Sequence, residues 1–201
     1  SLGALITRRN IDNPIFPSTG SSLQLDVELS GGALLPGDVD YLKIGFTAEW
    51  YRRLFNSNRL ALYTIANFGY LDEIVPGTNI QPFEFFYMGG NGPVIATTSL
   101  RGYDDRTVGP KNPSTGQVIG GRVVAKFGAE FRVAVTLEPI PLYLLMFAEA
   151  GNVFENFQKI ANSDQPSRKG VVGPKLVIKV VLGPPNIYPK WTLQLPEKLE
   201  I

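Results

Sequence analysis

The chain has 201 residues with 44% hydrophobic composition, 21 Gly, 16 Pro, no Cys and no His, which fits one compact domain. The missing thiols and imidazoles exclude a disulfide scaffold, a Cys/His zinc site, a Ser-His-Asp triad and histidine acid-base work. Nineteen Lys+Arg against 18 Asp+Glu leave a net charge of +1, so there is no overall field to recruit nucleic acid and no nucleic-acid partner is expected.

Period 2 dominates the chain. Residues 2–9 alternate weakly between apolar and polar positions, and Leu23, Leu25, Val27 and Leu29 alternate strictly with Gln24, Asp26 and Glu28. Such alternation is that of a strand with one apolar and one wet face. Leu42, Ile44, Phe46, Ala48 and Trp50 alternate with Lys43, Gly45, Thr47 and Glu49, and residues 59–70 alternate more weakly. Residues 71–121 are rich in Gly, Pro, Asn and Thr with no sustained alternation; a loop that long inside a compact domain is functional or disordered. Alternation resumes over residues 122–133 and 142–153, then over 175–182 and 190–196. Breaker clusters separate these segments and no stretch has a convincing 3.6-residue period, so the expected fold is an all-β antiparallel meander of about eight strands.

Alternation alone does not say which face is inside. In a soluble sandwich or barrel the apolar face is the core; in a membrane barrel it meets lipid and the polar face lines the lumen. Two features favour the membrane reading. The strands exceed the usual 5–6 residues, and Trp50, Tyr51, Phe68, Tyr70, Phe154 and Trp191 lie near strand ends, where girdle aromatics sit. Apolar runs such as Leu142 to Ala148 are far too short for a membrane helix.

Within the long loop stand Phe83-Glu84-Phe85-Phe86-Tyr87-Met88-Gly89-Gly90, then Leu100-Arg101-Gly102-Tyr103, then Gly109-Pro110. Phe147-Ala148-Glu149-Ala150-Gly151 lies on a later strand, and Asp12 to Gly20, with Phe16-Pro17, follow the first strand. This ordered set resembles the signature of the BamA-type outer-membrane insertase and translocator superfamily: F-x-x-F-x-x-G-G, R-G-[FY] and G-P in the loop, F-x-D-x-G on the strand, and a D-x-x-x-F-P-T-x-G turn. Glu149 stands where the family has Asp. The match covers residues 4 to about 155. Beyond about residue 165 it weakens, and residues 165–201 hold six Lys+Arg and two Asp+Glu.

The resemblance implies part of a sixteen-stranded transmembrane β-barrel in which residues 1–201 form a single partial barrel domain. It places loop 71–121 in the lumen, bringing Arg101 against Glu149. Periplasmic domains and a signal peptide are not expected within this chain, which would be a piece of a longer mature protein. The implied function is non-enzymatic: insertion of client β-barrel proteins into the bacterial outer membrane through a weakly closed seam, without cofactor or metal. The implied partners are outer-membrane lipid, unfolded outer-membrane protein clients and accessory lipoproteins. A secretion or translocation pore of the same superfamily and a soluble β-barrel or sandwich binding module are the alternatives.

The chemistry of the residues agrees with such a pairing. Glu149 shares a strand face with Tyr143, Leu145, Phe147 and Gly151, and a carboxylate on a closed inner face needs a partner. Arg101 offers a planar fork that Lys does not reproduce. Lys126, Glu130 and Arg132 are expected to form a generic charge ladder. Gly89-Gly90-Asn91-Gly92 lacks the Lys-Ser/Thr of a phosphate-cradling loop. The acid pairs Asp38/Asp40, Asp72-Glu73 and Asp104-Asp105 lack the spacing of a calcium loop and are read as turn residues.

Overall fold

The computed structural model describes residues 1–31, 39–90, 97–136, 142–157 and, for its main chain, 177–182. A seven-stranded antiparallel sheet holds β1 (Leu2–Ile11), β2 (Gly20–Ser30), β3 (Tyr41–Arg53), β4 (Leu60–Glu73), β7 (Val123–Thr136), β8 (Leu142–Phe154) and β9 (Val177–Leu182), paired in that order. Among the described residues between β4 and β7 are a 3-10 turn, Pro82–Glu84, and two short strands, β5 (Tyr87–Met88) and β6 (Thr97–Thr98), which pair in parallel. The β4 strand runs past the expected end of its alternation to Glu73, and the long loop carries this secondary structure of its own. The predicted strand 190–196, Trp191, Asp38, Asn91 and Gly92 lie outside the described residues.

Register decides the faces. Asp26 lies opposite Gly45, Gly45 opposite Gly69, and Glu49 opposite Ile65. Gly128 then lies opposite both Ile65 and Glu149, so the polar sets of all these strands share one side, against which the long loop packs. The other side carries Phe46, Trp50, Phe68, Phe127, Leu144 and Met146, all among the exposed large apolar residues. Phe127 is 64% exposed, whereas a soluble sandwich would bury this face as its core. The apolar face is therefore the outer one, as in a wall that faces lipid. Tyr51 departs from the expected girdle: it is on the inner face, its ring 5.0 Å from that of Tyr63.

The connections differ between the two ends of the sheet. Short turns join β1 to β2 and β3 to β4 at one end of the sheet, where β7 ends and β8 begins; the long loop lies at the other end, where β2 ends and β3 begins. A register shift between Ala134 and Thr136 marks a bulge at the short-turn end. There the β1–β2 turn is ordered by Asp12, whose carboxylate accepts from the Ser18 hydroxyl at 2.5 Å and from the Ser18 and Thr19 amides at 2.8 and 3.1 Å. The turn folds inward, so that Phe16, 3% exposed, packs on Ala61, Ala134 and Tyr143.

Candidate functional site

The site is built where the long loop meets the inner face of β7 and β8. Paired main-chain bonds between Phe86 and Gly121 tie the base of the loop together, and the Val108 amide donates to the Met88 carbonyl. Farther in, the Gly89 amide donates to Thr98, Gly90 to Tyr103 and Leu100 to Gly90. These bonds close the segment around Gly89, which adopts φ +131 with the Asp104 carbonyl where a Cβ would stand. Only glycine fits that backbone.

Apolar contacts fix the loop on the wall. Met88 and Leu100 are fully buried and form a cluster with Val108, Val124 and Val153, with Phe86 and Tyr103 packed against it. Two inner-face glycines make room. A Cβ on Gly69 would lie 2.7 Å from Cζ of Phe86, and one on Gly151 would lie 2.8 Å from Cε of Met88. Burying a side chain such as Leu100 contributes roughly 1.5–3 kcal/mol, so this cluster is one apolar attachment of the loop, beside that of Ile80 on Tyr41 and Leu71.

Beside it sits a network of charges. The Arg101 guanidinium donates to Glu149 Oε1 through Nε at 2.8 Å and through a terminal nitrogen at 2.5 Å; that nitrogen also donates to Glu130 Oε1 at 2.5 Å. The second Glu149 oxygen is held by the Arg101 amide at 2.9 Å. The arrangement differs from the expected fork because one oxygen of the acid is used to fix main chain. Lys126 Nζ lies 3.2 Å from Glu149 Oε1 and donates to the Ser99 carbonyl at 2.7 Å. Arg132 donates to the other oxygen of Glu130 at 2.8 and 2.6 Å. Phe147 lies under the network, with Arg101 Cζ 3.6 Å from its ring centroid, a distance at which the ring face attracts the cation. The Glu149 and Glu130 side chains are only 4% and 6% exposed. Burial lowers the affinity of the Arg101 guanidinium for its proton, but Glu130 and Glu149 raise it above its ordinary value.

The structure thus brings Arg101, Phe147, Glu149 and Gly151 together and adds Lys126 and Glu130, which the sequence alone placed in a generic ladder. The shared period-2 face of Lys126 and Glu130 on β7 was a signal for this, and the opposite register of Glu149 was not visible. Gly102 follows Arg101 with φ +85, and Gly90 has φ +76. Gly109, with φ +137, lies against Val153, while the Pro110 carbonyl accepts from Ile119.

The superfamily signature extends beyond this site. A family model described as the Omp85 superfamily domain matches residues 1–187. The chain belongs to the Omp85 superfamily. It is 28% identical over 155 residues to a SAM50-like protein of Schizosaccharomyces pombe, covering 76% of this chain and 31% of that protein. It is also 28% identical over 165 residues to the outer membrane protein assembly factor BamA of Nitratidesulfovibrio vulgaris, covering 82% of this chain and 19% of that one. The chain therefore spans about a third or less of these Omp85 relatives. Its fold is similar to a crystal structure of BamA from Haemophilus ducreyi lacking POTRA domains 1–3, with TM-score 0.66, 20% identity, and coverage of 93% of this chain and 39% of that one.

Proposed function

We propose that this chain is part of the barrel wall of a non-enzymatic outer-membrane assembly factor, which inserts client β-barrel proteins into the bacterial outer membrane. The observation that carries the reading is an Omp85-type wall with its apolar face outward and a loop pinned to its inner face by Arg101. The name of the Nitratidesulfovibrio vulgaris relative, an outer membrane protein assembly factor, supports it. The 201 residues act as one partial barrel domain with the loop between Glu73 and Val123 inserted, and no cofactor takes part.

The chemistry required is main-chain pairing. In the described sheet each strand is held to its neighbours by antiparallel main-chain ladders. A weakly closed seam in the complete wall would leave such main-chain groups open to an incoming strand, which pairs there by β-augmentation. In this reading the Arg101–Glu149 pair holds the loop and sets the shape of the wall without doing chemistry. Outer-membrane lipid surrounds the wall, unfolded client proteins approach the edge, and accessory lipoproteins complete the complex. Arg101→Ala in the full-length protein tests this by the level of correctly folded outer-membrane proteins in cells. Levels should fall severalfold; wild-type levels with an undisplaced loop would reject the role.

A further inference from the structure

On β1–β4, β7 and β8 the outer face carries three charged side chains: Arg8, Arg52 and Asp72. Their placement is polar along the strands. Arg8 and Arg52 lie toward the short-turn ends of β1 and β3, whereas Asp72 is at the long-loop end of β4. Asp72 has partners, the Tyr70 hydroxyl at 2.6 Å and Arg122 at 3.5 Å. Arg8 and Arg52 are exposed, and among the described residues neither guanidinium has an ion pair or hydrogen bond. Trp50, 47% exposed, lies on the same face two residues before Arg52, about 7 Å along the strand.

An arginine on a lipid-facing surface costs about 2–4 kcal/mol at the bilayer midplane and about 0–1 near the interface. Position near the turns and a long apolar stem bring both guanidinium groups to headgroup depth, where an indole also sits. At that depth an unpaired planar fork matches a phosphate. Toward the middle of the wall the outer face is apolar, with Ile6, Leu23, Phe46 and Ala48, while Asn10, Ser21 and Thr64 lie beside Trp50 toward the turns, a boundary from apolar to polar that suits acyl chains below and headgroups above. The net charge of +1 conceals this asymmetry. We propose that Arg8 and Arg52, with Trp50, bind phosphates of anionic phospholipid headgroups in the leaflet on the short-turn side. The proposal rests on the membrane reading given above.

The test uses the full-length protein with every tryptophan except Trp50 replaced by Phe, Trp191 among them, so that Trp50 is its single indole. The protein is reconstituted in phosphatidylcholine vesicles containing either brominated phosphatidylglycerol or brominated phosphatidylcholine, and Trp50 fluorescence quenching is titrated. The expected result is an about fivefold preference for phosphatidylglycerol. It should shrink in about 0.5 M NaCl, resist competition by free inorganic phosphate, and vanish in Arg8→Gln/Arg52→Gln. Equal quenching by the two lipids in the starting protein, which needs no further variant, would overturn this proposal alone. Unchanged preference in the double variant would do the same, and so would displacement by free phosphate. Quenching by neither lipid would overturn the membrane reading with it.

Discussion

The main-chain N–H of Arg101 and its own guanidinium bind opposite oxygens of Glu149, at 2.9 Å to Oε2 and 2.8 Å to Oε1. One carboxylate therefore fixes both the charge and the backbone of the loop. Arg101→Ala removes the cation shared by two buried acids, which keep only Lys126 and Arg132 as partners, and should weaken loop docking by about 2–4 kcal/mol. Arg101→Lys keeps the charge but cannot reach Glu130 and Glu149 in the same geometry, and should recover less than half of the loss. Hydrogen exchange at the Leu100 and Tyr103 amides, which donate to Gly90 and Leu100 carbonyls, measures the difference. Equal protection in the Ala and Lys variants would count against the geometry.

Substitutions at Glu149 separate charge from shape. Glu149→Gln keeps the outline and removes the counter-charge of Arg101 and Lys126, and should cost about 2–4 kcal/mol. Glu149→Asp, the residue usual in the family motif, keeps the charge one methylene farther back and should cost less. Urea unfolding in detergent, followed by tryptophan fluorescence, gives both values; a Gln variant as stable as the Asp variant would contradict this ordering.

Gly89 is constrained by conformation and space together. A Cβ there would stand 2.2 Å from the Asp104 carbonyl oxygen, on a backbone with φ +131. Gly89→Ala should therefore open the bonds to Thr98 and Gly90 that close the loop, with a cost of at least about 2 kcal/mol. Limited proteolysis should cut within residues 89–110 severalfold faster than in the parent. An unchanged cleavage pattern would show that the loop absorbs the methyl group.

Phe16 fastens the β1–β2 turn to the far part of the wall. Its ring lies 5.8 Å from that of Tyr143, edge to face, and Phe16→Ala should cost about 3 kcal/mol through the cavity left against Ala61 and Ala134. Phe16→Leu should cost about half as much. A denaturation midpoint in the Ala variant equal to that of the parent would deny the turn a structural role.

The same turn has a predictable acid response. Burial pushes the Asp12 carboxyl up, but hydrogen bonds from the Ser18 hydroxyl and the Thr19 and Ser18 amides outweigh it and hold it at about 2, below its usual 3.8. A depressed acid stabilises the fold fully above its unfolded value and loses that contribution as pH falls through the folded one. Protection of the Ser18 and Thr19 amides, corrected for intrinsic exchange, should thus be constant above about pH 4 and drop toward pH 2. Asp12→Asn should abolish that drop; a variant that keeps it would assign the transition to another acid.

The main strands were legible because a sheet with one wet face writes period 2 into the chain, as at Leu23 to Leu29 and Val123 to Val133. The direction of the apolar face was legible only in part, since sandwich and membrane barrel share the pattern; the exposure of Phe127 and Met146 decides it. The pairing of Tyr87 with Thr97 was invisible, because two-residue strands rest on main-chain bonds that carry no residue signature. Arg101 and Glu149 were found through motif resemblance. Lys126 and Glu130 were not assigned to their network because strand register, which sets Gly128 opposite Glu149, is a non-local property.

The inner wall is recessed at Gly69 and Gly151, and the loop fills those recesses with Phe86 and Met88. Lock and key are here encoded at distant points of one chain, so neither can drift alone. A larger residue at 69 would have to be matched by a smaller one at 86, and a chimaera receiving the loop without the two glycines would carry a plug that does not seat.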